Sequence, residues 1–161
     1  MTSRGTARAA RIQAEAAAES QHLDRLRAAR RSAYVDVIEQ AQRMGDLYWK
    51  VTDAASEPDG AERRGALTDL RLRLRDEYAV LRHRVWVVDL EGPAEVAEAA
   101  NRLRRSTSDN YRALAAMIGG EEGAAERFNA CYAPFWEAVL AFVAIAREAL
   151  RETTALPPHG R

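Results

Sequence analysis

The sequence predicts an all-α fold: an antiparallel four-helix bundle whose first helix outruns the other three. Three observations carry that prediction. Apolar residues recur at helical spacing through long stretches, the first three of them free of internal proline. Turn signals separate the stretches at Pro58-Asp59-Gly60, Gly92-Pro93 and Gly119-Gly120. The stretches also differ in length: at about 1.5 Å per residue the first would measure about 75 Å, the others roughly 40 to 47 Å.

The hairpin around Val85–Ala100 organises the rest. An apolar run stops at Gly92-Pro93 and a new helical pattern begins at once. Proline suits the first position of a helix, glycine supplies the reversal, and Glu95 and Glu98 place negative charge at the positive end of the helix dipole.

The first helix is expected from about Thr6 to Ala55. Its apolar positions are Ile12, Leu23, Leu26, Ala33, Val37, Ala41, Met44, Leu47 or Tyr48, and Val51, with Tyr34, Ile38 and Trp49 as a second stripe. Before Leu23 alanine dominates; after it the apolar face is dense. A loop follows, and Asp59 with Glu62 has the form of a capping box.

Helix two carries Leu67, Leu70, Leu74, Leu81, Val85 and Val88 on one seam. Leu72, Ala79 and Trp86 form a second line, which predicts contact with two neighbours. The β-branched run at Val85–Val88 favours a strand, but the seam crosses it without a change of phase, so helix is the reading.

Helix three spans Pro93 to about Ile118, with Val96, Ala100, Leu103, Leu114 and Met117 inward. Helix four follows Gly119-Gly120-Glu121-Glu122. It buries Phe128, Tyr132, Phe135, Val139, Phe142 or Val143, Ala146 and Leu150, with Trp136, Leu140 and Ile145 broadening the face. Pro134 should bend it, because proline deletes a backbone bond and crowds the preceding turn. The chain thus divides into a projecting basic arm (1–22), the bundle (23–152) and a tail (153–161).

Composition narrows the function more than it names it. In 161 residues, 24 basic side chains balance 24 acidic ones, which removes a global electrostatic case for nucleic acid or anionic membranes. Cys131 stands alone, so neither an internal disulfide nor a cysteine-based metal site can form. No secretory signal is apparent at the N-terminus, and the apolar window from Ala130 to Ala146 falls short of the roughly 20 residues of a membrane span. A cytoplasmic location is expected.

Glu19-Ser20-Gln21-His22 has the spacing of a helical di-iron ligand pair, but such sites need a second copy and two more glutamates, and no second copy exists. Ser106-Thr107-Ser108 has no base beside it, and there is no glycine-rich phosphate loop. The expectation is therefore no enzyme, no catalytic residue, no cofactor and no metal.

Two constellations remain. The arm, with Arg8, Ile12, Glu19 and Leu23, is of a length at which even an alanine-rich isolated helix is marginal in water. It predicts pairing with a second copy or a helical partner, with a mobile arm as the alternative; its arginines also allow nonspecific contact with phosphates. The second is a polar layer. Thr107 and Asn110 fall on the inward seam of helix three, and antiparallel register sets Thr107 near Asp76 and Asn110 near Arg73. The same register brings Glu39 or Gln40 and Tyr132 to that level. A buried polar layer destabilises a core unless its groups are paired. It fixes helix register, as buried asparagine does in coiled coils, or forms a small-molecule pocket built from Asp76, Thr107, Asn110 and Tyr132.

Two stretches, Arg31-Ser32-Ala33-Tyr34-Val35-Asp36-Val37-Ile38 and Leu90-Glu91-Gly92-Pro93-Ala94-Glu95-Val96-Ala97-Glu98-Ala99-Ala100, also resemble small all-helical actinobacterial proteins of uncharacterised function. These show an Arg-x-Ala-Tyr helix followed by a Leu-x-Gly-Pro turn. The resemblance covers about Arg30 to Leu103. It implies a helical hairpin in a cytoplasmic bacterial setting and carries over no catalytic residues.

Overall fold

A computed structural model describes residues 3–155, with side chains described for residues 6–152; residues 156–161, most of the expected tail, lie outside them. The described chain is all-α: α1 (Ser3–Ser56), α2 (Ala61–Glu91), α3 (Ala94–Ile118), α4 (Ala124–Ala130) and α5 (Tyr132–Ala155). α1 packs on α2, α2 on α3, α3 on α5, and α5 returns to α1. This is a four-rod bundle with an overlong first helix, α4 and α5 together making the fourth rod.

The fourth rod is interrupted rather than merely bent. Pro134 has no N–H to offer the carbonyl one turn back, and its ring crowds that turn. The helix gives way at Cys131, whose N–H donates three residues back to Phe128 O at 3.1 Å, before Phe135 N–H resumes the helical pattern onto Cys131 O at 3.2 Å. By length and composition alone the stretch Ala124–Glu152 is apolar enough to cross a membrane. In the fold it supplies Phe128, Phe135, Val139 and Phe142 to the interior.

Those rings meet tyrosines of α1. The Tyr48 ring stands edge-on to Phe128 and Phe135, with centroids 5.8 and 5.1 Å away, and Tyr34 stands edge-on to Phe142 at 6.2 Å. The predicted seam of α2, Leu67 to Val88, is buried throughout. Its second line is not: Leu72 and Trp86 are about half exposed and Ala79 is exposed. Helical periodicity marks a line of apolar residues, but α1 and α3 both take the Leu67–Val88 face, so the second line meets solvent.

Polar contacts set the register of α1 against α2. Arg30 Nε donates to Glu91 O at 2.6 Å, Arg84 Nη1 donates to Asp36 O, and Gln40 Nε2 donates to Glu77. At the α2–α3 hairpin, Pro93 is the N-cap rather than the first helical residue. Gly92 has an extended backbone, φ −95°. Its role is space: a Cβ there would lie 3.0 Å from both Tyr34 Oη and Val88 O. The expected capping box at Asp59 does not form, because the N-cap falls one residue later, at Gly60, with no side-chain cap. Asp59 instead pairs with Arg63.

Candidate functional site

The polar residues of the predicted layer separate when the helices take their rotations. Thr107 and Asn110 are buried on α3, as their seam positions require. Asp76 is exposed and pairs with the neighbouring Arg75, at 3.5 Å. The register of the hairpin lies close to expectation, since Arg71 stands 4.8 Å above the Tyr111 ring and Arg104 Nη1 donates to Tyr78 Oη at 3.3 Å. The error is rotational: one residue along a helix turns the side chain by about 100°, and Tyr78 and Leu74, not Asp76, face α3's polar stretch. Tyr132 is half-buried and belongs to a different cluster, stacked on Trp49 at 6.0 Å and edge-on to Trp136. The proposed four-residue pocket of Asp76, Thr107, Asn110 and Tyr132 therefore does not assemble.

Gln40, rather than Glu39, is the buried residue contributed by α1; it is 0% exposed and Glu39 faces solvent. Its Nε2 donates to the carbonyl and the carboxylate of Glu77. Asn110, also 0% exposed, has neither amide atom hydrogen-bonded among the described residues.

What Thr107 does line is a cleft of about 350 Å³ on the flank of the bundle. Its buried walls are Met44 and Tyr48 of α1, Leu74 of α2 and Thr107 itself, with Tyr78 and Tyr111 half-buried beside them. Arg75, Ser108 and Arg112 stand exposed at the mouth. Threonine is shorter than the leucine that the seam would otherwise carry, and its hydroxyl is taken up by Arg104 O at 2.8 Å. Ser106 likewise donates to Leu103 O at 2.7 Å, so the hydroxyls of Ser106 and Thr107 serve helix backbone.

Cys131 sits half-buried at the break, its Sγ donating to Arg127 O at 3.1 Å. Burial pushes its thiol up, with Asp109 adding in the same sense, which leaves less thiolate at neutral pH. Among the described residues no group of three or more His, Cys, Asp and Glu side chains could hold a metal ion. Glu19 and His22 lie exposed on the arm.

The arm has a clear geometry of its own. Every described side chain from Thr6 to Leu26 is exposed, including Arg8, Ile12, Glu19 and Leu23. In the bundle, Val51, Leu47, Met44, Gln40, Val37 and Ala33 are buried at alternating steps of four and three, the heptad spacing of a coiled-coil seam. The same steps carried toward the N-terminus reach Arg30, Leu26, Leu23, Glu19, Ala16, Ile12 and Ala9. The seam that α1 buries is thus continued, in phase, along a stretch of helix whose side chains from Thr6 to Leu26 are exposed among the described residues. Arg11 Nε pairs with Glu15 at 2.9 Å and Arg27 with Asp24 at 3.3 Å, both along the arm. This phase is legible in the sequence, where Ile12, Leu23 and Leu26 stand in one helical series with Ala33, Val37, Met44 and Val51.

No protein-family model, curated protein or solved structure matches the chain.

Proposed function

We propose that this chain is a non-enzymatic bundle protein that acts by association, and that its first partner is a second copy of itself, bound through the N-terminal arm. The observation that carries this reading is the in-phase extension of the α1 seam from Ala33 out to Ala9. A heptad stripe of alanine, isoleucine and leucine, interrupted only by Glu19 and by Arg30 at its bundle end and exposed along the arm, is a coiled-coil half.

Orientation follows from where the seam points. It faces the side on which the bundle itself lies, so a parallel second arm would bring its own bundle into the same space. Antiparallel pairing sends the two bundles to opposite ends. With the two-fold axis between positions 17 and 18, Ile12 faces Leu23 of the second copy, Ala9 faces Leu26, and Ala16 lies opposite Glu19. Glu15 then flanks His22 of the second copy. The small alanines allow close approach of the helices, and Glu19 meets only a methyl group. A cytoplasmic setting belongs to this reading.

Light scattering during size-exclusion chromatography tests it. The unaltered protein is expected as a dimer at micromolar concentration. The double variant Ile12→Glu/Leu23→Glu and a chain lacking residues 1–22 are expected as folded monomers. A monomer for the unaltered chain ends the reading.

A further inference from the structure

We infer that the flank cleft between α1, α2 and α3 is a binding site for a small amphiphile with an apolar body and one anionic head, carboxylate or phosphate. It lies apart from the arm and does not depend on dimerisation. At about 350 Å³ it is within the range of small-molecule pockets, roughly 300 to 1,000 Å³. Its buried walls are chiefly apolar: Met44, Tyr48 and Leu74, with Thr107's hydroxyl already bonded to Arg104 O. The buried walls offer two hydroxyls, those of Tyr48 and Thr107, within a largely apolar surface, so the part of a ligand that enters is mainly apolar.

The mouth has the opposite character. Arg75 and Arg112 line it from α2 and α3, and Arg71 stands over the ring of Tyr111 on the same rim. Two acids touch these guanidiniums: Asp76 contacts Arg75 at 3.5 Å and Asp109 contacts Arg112. Both pairs are solvent-exposed, and exposed pairs hold little energy. A guanidinium has five donors, so one such contact leaves others for an incoming anion. The half-buried Tyr78, whose oxygen accepts from Arg104, and Ser108 complete the rim. Apolar walls below and arginines from two helices above define the polarity of the ligand: tail inward, negative head at the lip.

Calorimetric titration and thermal melts of the full chain with octanoate, octyl phosphate, octanol and octylamine, each below its aggregation threshold, test the assignment. Octanoate or octyl phosphate is expected to bind one per chain and to raise the midpoint, since a ligand of the native state stabilises it. Whichever of the two binds tighter identifies the head. Octanol should bind more weakly, and octylamine least. The variant Arg75→Gln/Arg112→Gln changes only exposed side chains and should lose about tenfold or more of the anion's affinity. Ser108→Trp at the mouth should abolish binding while leaving the unliganded midpoint within a few degrees. Absence of saturable binding by both anions overturns the inference. So does octanol binding as tightly as octanoate, or unchanged affinity in the arginine variant.

Discussion

Gln40 Nε2 donates to two oxygens of Glu77, the backbone carbonyl at 2.9 Å and carboxylate Oε2 at 2.6 Å. Gln40 occupies a seam position between Val37 and Met44, so this bond registers α1 against α2 from inside the core. Gln40→Ala removes both contacts and leaves a void; the expected loss is about 2 to 4 kcal/mol, read from denaturant midpoints. A loss below about 0.5 kcal/mol, on the scale of an ordinary surface substitution, would show that the pairing contributes nothing.

Asn110 is the contrasting case. Fully buried and unpaired among the described residues, its amide carries a desolvation penalty with no compensating bond. Asn110→Leu is expected to raise stability by about 1 to 2 kcal/mol. Destabilisation instead would mean that the amide is satisfied in solution.

Two glycines inside helices should respond in opposite directions to the same change. A Cβ on Gly45 would lie 2.5 Å from Trp136 Cζ2 and 3.2 Å from Cη2, whereas one on Gly65 meets nothing within 4 Å. Gly65→Ala should stabilise by about 0.5 to 1 kcal/mol through helix propensity. Gly45→Ala should destabilise by about 1 to 3 kcal/mol as the indole is forced aside. Equal effects at the two sites would remove the steric account.

Tyr48 makes alkaline stability a measurable property of the core. Burial pushes its phenol above the ordinary value, and Cys131 adds to the shift; Tyr34 is displaced in the same direction, chiefly by burial. A phenol raised in the folded state favours the neutral form there. Its contribution is complete below the unfolded value of about 10 and is lost as pH rises beyond it. Melting temperatures should therefore fall steeply above pH ~10, and the fall should be shallower in Tyr48→Phe. Identical slopes in the two proteins would refute the assignment.

The arm offers a gain as well as a loss. Glu19 is the one acidic residue on the arm's stripe from Ala9 to Arg30, and under the proposed arm pairing Glu19→Leu should lower the dimer dissociation constant by about tenfold or more, measured by sedimentation over a dilution series. A weaker dimer would place Glu19 in a favourable ion pair and shift the proposed register.

The seam of α3 was readable from spacing, down to buried Thr107 and Asn110, because only one face of that helix is apolar. α2 carries apolar residues on two lines, and spacing alone does not say that Leu72 and Trp86 face water. The cleft was hidden for a further reason. It arises from the relative rotation of three helices, and an antiparallel register estimates level without azimuth. Hence Asp76 was expected where Tyr78 stands, and Tyr132, at nearly the right height, proved to stack on Trp49 instead.

The unbroken phase of α1 has a mechanical consequence. A 54-residue helix that keeps one stripe from Ala9 into the hydrophobic interior cannot swivel at a joint, because none interrupts it. Whatever grips the outer stripe also fixes the angle at which the bundle is presented, so two joined copies would hold their clefts at a set separation and bearing, like the jaws of a caliper.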